Sequence, residues 1–157
     1  MSNKITFRYL SFQELSLELL YQILALRQEV FVVEQNCPYL DADGNDQQSF
    51  HLVGFDENHK LVAYARVLPK GMAYKEYVSF GRVLSKGKSR SQGIGKALVK
   101  QLMREIEMQY GSKIDVKISA QTYLIKFYES YGFETVGEEY LEDDIPHIGM
   151  LYKGGNV

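Results

Sequence analysis

Tryptophan is absent from this 157-residue chain, cysteine occurs once and proline three times. The single cysteine, Cys37, excludes an internal disulfide and suits a reducing compartment. Its side chain reads as a small, partly buried hydrophobe, with a reactive thiol as the alternative. No apolar run reaches the ~18 residues of a membrane-spanning helix, and the opening MSNKITFRYLSF lacks the apolar core of a signal peptide. Charge of one sign is also scarce: 18 basic side chains face 20 acidic ones, for a net charge of −2. That balance disfavours broad binding to a phosphate backbone. The expectation is a soluble, cytoplasmic protein with no nucleic-acid and no membrane partner.

The remainder is ordinary globular composition, 45% apolar and 24% charged, in a length that suits one domain spanning 1–157. Alternation predicts a strand at 4–8. From Ser11 the period becomes helical, with Leu17, Leu20, Leu24, Gln28 and Phe31 on one stripe, widened by Leu15, Leu19, Ile23 and Leu26. Ser11 and Glu14 form a candidate capping box, and the helical segment must end before Cys37-Pro38. After the polar turn 41–46, strands are predicted at 50–56, 61–68 and 77–84. A long amphipathic helix at 93–110 follows, then a strand at 114–119, a short helix at 122–131, and strands at 133–140 and 148–153. Two βαβ crossovers late in the chain imply an α/β protein with a partly parallel sheet.

The most informative segment is Arg90-Ser91-Gln92-Gly93-Ile94-Gly95-Lys96, between a strand and the longest helix. Glycines at 93 and 95 permit close approach of a ligand to the backbone. The helix's first amides lack internal partners, and Arg90 and Lys96 add positive charge. The segment reads as an anion site for a phosphate or pyrophosphate, against the alternative of a flexible loop. It is not a Walker loop, because position 90 is Arg. It is not a dinucleotide fingerprint either, because position 98 is Leu. The acidic turn fails as a calcium loop, with Asp46 and Leu52 where glycine and glutamate are required. His51 and His59 are not spaced as a zinc pair, so no metal is expected.

Arg90-x-x-Gly93-x-Gly95 resembles the R/Q-x-x-G-x-G/A signature of the GNAT superfamily, and Phe127-Tyr128 through Gly132-Phe133 resembles its FY-x-x-x-GF segment. The ordered set Arg27, Phe31 to Tyr39, Asp41, Asp43-Gly44, Asp46, His51, Ala63 to Arg66, Gly81-Arg82-Val83, Ala120-Gln121 and Glu142 to Met150 is similar to the ElaA group within it. The resemblance implies a single-domain GNAT fold, α/β, with a mixed, mostly antiparallel central sheet of about six or seven strands flanked by helices. It implies an N-acetyltransferase that uses acetyl-CoA as cosubstrate and a small-molecule or peptide primary amine as acceptor. The alternative is a non-catalytic acyl-CoA-binding module of the same fold.

By resemblance, residues 90–96 hold the coenzyme A pyrophosphate, Gln121 contacts the pantetheine arm, and Tyr128 protonates the leaving thiolate or else packs on the sheet. Main-chain amides of Val83, Leu84 and Ser85 would hold the thioester carbonyl and pantetheine, with Val83 and Ser85 as oxyanion donors. His51, His147 and Glu34 are candidate bases, each histidine having a structural role as its alternative. Carboxylates 41–46 and 142–144 either attract a cationic amine or form solvated turns; a third reading has Asp43 or Asp46 capping Arg27 or Arg66. Exposed strand edges are compatible with a homodimer.

Overall fold

The computed structural model describes residues 4–86 and 93–155. Among these residues seven strands carry the fold: β1 (Thr6–Ser11), β2 (Phe50–Phe55), β3 (Leu61–Leu68), β4 (Ser79–Ser85), β5 (Val116–Gln121), β6 (Phe133–Glu142) and β7 (Ile145–Tyr152). Helix α1 (Leu17–Arg27) continues into a π-helical segment, Gln28–Glu34; α2 (Ile94–Tyr110) connects β4 to β5, and α3 (Ile125–Glu129) leads from β5 to β6. The strands form two antiparallel sheets, ordered β1-β2-β3-β4 and β5-β7-β6. A parallel bridge between Val78 and Val116 joins them. This is the mixed α/β architecture expected from the sequence.

β3 is buried along nearly its whole length because helices cover both of its faces. Ala63, Ala65 and Val67 pack with the α2 face, Ile94, Leu98, Val99, Leu102 and Ile106, while Tyr64 packs with Leu19, Ile23, Leu26 and Val30 on the other side. Each fully buried α2 side chain contributes about 1.5–3 kcal/mol by removal from water. Gly111 ends α2 at φ +98°, a conformation open to glycine, and its N–H donates to Glu107 O at 2.8 Å.

The start of the first helix differs from expectation. The Ser11–Glu14 capping box is present, but it caps a single 3-10 turn, Phe12–Glu14. α1 begins at Leu17, where Ser16 Oγ accepts from Leu19 N–H at 3.1 Å. Its buried face is Leu19, Ile23, Leu26 and Arg27, continued by Val30 in the π-helical segment, whereas Leu17 is 87% exposed. Leucines occupy both sides of this segment, so spacing alone could not identify the inward one; a buried arginine decides it. At the other end of the chain, β7 starts earlier than predicted. It closes a hairpin on β6 through Asp143 and Asp144, both at positive φ as a two-residue hairpin turn requires.

Candidate active site

β4 and β5 run parallel and touch at one end, where Lys117 N–H donates to Val78 O at 3.0 Å. Beyond that point a cavity of about 620 Å³ opens between them. Ser79, Phe80 and Val83 line it from β4, and Ile118, Ala120 and Gln121 from β5. Tyr128 closes it from α3, Tyr140, Glu142, Asp143 and His147 from the β6–β7 hairpin, and Cys37, Tyr39 and Asp43 from the segment before β2.

Tyr128 is 5% exposed and packs against Phe80, Phe133 and Phe127. Its hydroxyl has no hydrogen-bond partner among the described residues, although the side chain lines the cavity. Burial, and secondarily Tyr123, lifts the phenol above its ordinary value, so it stays protonated at neutral pH. Tyr131, on the same turn, has a structural bond: its hydroxyl donates to Lys96 O at 3.0 Å, tying the end of α3 to the first turn of α2.

The ladder between β3 and β4 breaks between Tyr64 and Arg66, so that Arg82 and Val83 together oppose Ala65. Arg82 takes φ +50° in this bulge. Past it, Ser85 pairs with Ala63 and Lys86 N–H donates to Val62 O at 2.8 Å. The Leu84 side chain is buried in the α1-side core, leaving only its main chain to meet a ligand.

At the start of α2, Gly93 is left-handed at φ +74°, and a Cβ at Gly93 or Gly95 would meet no atom of the described residues within 4 Å. Among the described residues the helix thus begins without a side-chain cap. The Ile94 side chain is buried in the core, so only its amide faces outward. Arg90, Ser91 and Gln92 lie outside the described residues.

The candidate bases separate clearly. His147 is buried at the cavity wall; its Nδ1 donates to Ile145 O at 2.7 Å, and its Nε2 lies 3.2 Å from Glu142 Oε2. A carbonyl only accepts, so Nδ1 carries the proton of that bond, and Nε2 is the nitrogen that faces Glu142. His51 is 1% exposed and is not among the cavity-lining residues. Its Nε2 donates to Asp46 O at 3.0 Å and its Nδ1 accepts from Tyr64 Oη at 2.6 Å. Burial holds this imidazole below its ordinary value, in the neutral form. Glu34 is exposed on the π-helical segment and also lies outside the cavity lining.

Of carboxylates 41–46, Asp41 and Asp46 are buried and Asp43, though exposed, is held by arginines. Arg27, fully buried, donates to Asp41 Oδ2 at 2.8 Å and to Asp46 Oδ1 at 2.6 Å. Arg66 holds Asp43 through two bonds of 2.8 Å and reaches Asp46 at 3.0 Å. Arg82 donates from Nε to Asp41 Oδ1 at 2.8 Å. Burial alone would push Asp43 and Asp46 up, but arginine hydrogen bonds outweigh it and hold both carboxyls below the usual range. This matched cluster neutralises itself, so these three carboxylates are committed to arginines rather than to a cationic acceptor. Sequence reasoning paired Arg27 and Arg66 with this turn but missed Arg82, and it did not connect Glu142 with His147.

A bulged strand splayed from a parallel neighbour, with a helix N-terminus following it, defines an acyl-CoA N-acyltransferase architecture. The acetyltransferase (GNAT) domain family matches residues 23–153, and the chain belongs to that family. A UPF0039 protein of Synechocystis is 43% identical over 150 residues, covering 96% of both chains. Protein ElaA of Escherichia coli K12 is 43% identical over 148 residues, covering 93% of this chain and 95% of that one. The E. coli ElaA crystal structure aligns at TM-score 0.87 and 41% identity, covering 96% of this chain and all of that one. An acyl-CoA N-acyltransferase of Pseudomonas aeruginosa aligns at 0.89 and 40% identity, covering 95% and 99%. Acyl transfer is the general chemistry these relationships support.

Proposed function

We propose that this protein transfers the acetyl group of acetyl-CoA directly to a primary amine of a small molecule or peptide. The observation that carries the reading is Tyr128, a buried residue at the wall of the cavity between β4 and β5 whose protonated hydroxyl has no hydrogen-bond partner among the described residues. At the start of α2 no described residue crowds Gly93 or Gly95, which supports close approach of a pyrophosphate. Arg90, Ser91, Gln92, Ile94 and Lys96 complete the anion site in this reading, with Gln121 beside the pantetheine.

The reaction forms an N–C bond and breaks a C–S bond. In this reading His147 Nε2 takes a proton from the attacking amine, Glu142 stabilises the resulting imidazolium, and that proton then passes to solvent. The amide of Val83, which lines the cavity, donates in this reading to the developing oxyanion. Tyr128 gives its proton to the departing sulfur and recovers one from solvent. His51 orients Tyr64 and the aspartate segment, and takes no part in the proton transfer.

The test is turnover of acetyl-CoA against a panel of amines, with amine-dependent release of free thiol as the readout. Saturable binding of coenzyme A without release for any amine would make the protein an acyl-CoA-binding module instead.

A further inference from the structure

Among the described residues, five that are not glycine adopt a positive φ: Asn36, His59, Arg82, Asp143 and Asp144. Four are Asn, His or Asp in turns, where a short polar side chain tolerates the left-handed region. Arg82 is the exception, a long side chain held at φ +50° inside β4. Such a conformation persists only where the surroundings enforce it.

The guanidinium supplies the enforcement. Nε donates to Asp41 Oδ1 at 2.8 Å, while Nη2 reaches Asp41 O at 3.1 Å and Asp43 Oδ2 at 3.4 Å. The group lies over the Tyr39 ring, 5.5 Å from its centroid, and the Tyr39 hydroxyl donates to Asp41 Oδ1 at 2.9 Å. Asp41 is anchored from below by the fully buried Arg27. The main chain of Arg82 thus belongs to the bulge that carries Val83, and its side chain is fastened to the cavity wall formed by Tyr39 and Asp43.

We infer that Arg82 is a positioning residue that couples the cavity wall at 39–46 to the bulge of β4, so that the two segments hold one shared geometry. The catalytic part of this inference rests on the acyl-transfer reading above; the mechanical part does not. In the full-length protein, Arg82→Gly removes the clamp while relieving the backbone strain, and Arg82→Lys keeps a cation but loses the fork. Hydrogen–deuterium exchange should rise together in peptides covering 39–46 and 79–85 for both variants. Turnover should fall about 10- to 100-fold, as expected of a misplaced reacting group, with coenzyme A affinity within about 3-fold of the parent.

Exchange in 39–46 that stays at the parent level, or turnover that Arg82→Gly leaves intact, overturns the coupling. Should Arg82→Gly fail to fold, Arg82→Lys decides alone, and parent-like exchange and turnover in it overturn the inference. If the parent turns over no amine, the acyl-transfer reading falls, while the exchange result still decides the coupling.

Discussion

Val78 and Val116 are bridged in parallel register, and this contact is the hinge from which β4 and β5 diverge. Without another strand in the gap among the described residues, edge groups of both strands face a cavity instead of completing a sheet. Those groups and Tyr128 come from different parts of the chain, and the splay brings them to one place.

Replacing Tyr128 by Phe keeps the ring contacts with Phe80 and Phe133 and deletes the proton donor. Steady-state kinetics should show kcat lower by about 10²-fold or more, with coenzyme A affinity nearly unchanged. Weakened binding at unchanged kcat would remove the acid role.

The two glycines at the start of α2 separate by conformation. Gly93→Val is strained at φ +74° whatever the ligand does, so it should lower both thermal stability and coenzyme A affinity. Gly93→Asn places a residue tolerant of the left-handed region there, and should fold better than Gly93→Val. Gly95→Val carries no positive-φ penalty and its Cβ meets no described residue, so stability should hold while calorimetric coenzyme A binding weakens at least about 10-fold through steric exclusion.

How far the sequence reaches is visible in these residues. The strand periods, the period of α2 and its glycine-marked start were legible, because each rests on local spacing, whereas Tyr128 and His147, which line the cavity, were singled out through the family resemblance. The Arg82 bulge was not, since its cause lies 39 and 41 positions away at Asp43 and Asp41. The inward face of α1 failed for a related reason: Arg27 reads as a surface residue until Asp41 and Asp46 are seen around it.

That burial has a thermodynamic consequence. Arg27→Met leaves Asp41 and Asp46 without their deepest partner, and denaturant unfolding should register a loss of about 3–5 kcal/mol. A loss below about 1 kcal/mol would mean that Arg66 and Arg82 suffice to hold both carboxylates.

Acid sensitivity should begin with His51. Its folded value lies below the ordinary 6.5, chiefly through burial, so the unfolded chain binds the proton first as pH falls. Stability should therefore decline below about pH 6.5, flattening once the folded imidazole also protonates. Asp43 and Asp46, held below the usual range, add a further loss at lower pH as the unfolded carboxylates protonate first. His51→Gln should flatten the upper part of that profile in thermal melts. An unchanged slope would assign the titration elsewhere.

The most direct test is a time course of free thiol released from acetyl-CoA by the purified protein, with and without a panel of primary amines. Release that requires both protein and amine, with matching formation of the N-acetylated amine, is the predicted result. Tight coenzyme A binding with no amine-dependent release across the panel would contradict the assignment of Tyr128 and His147 to proton transfer.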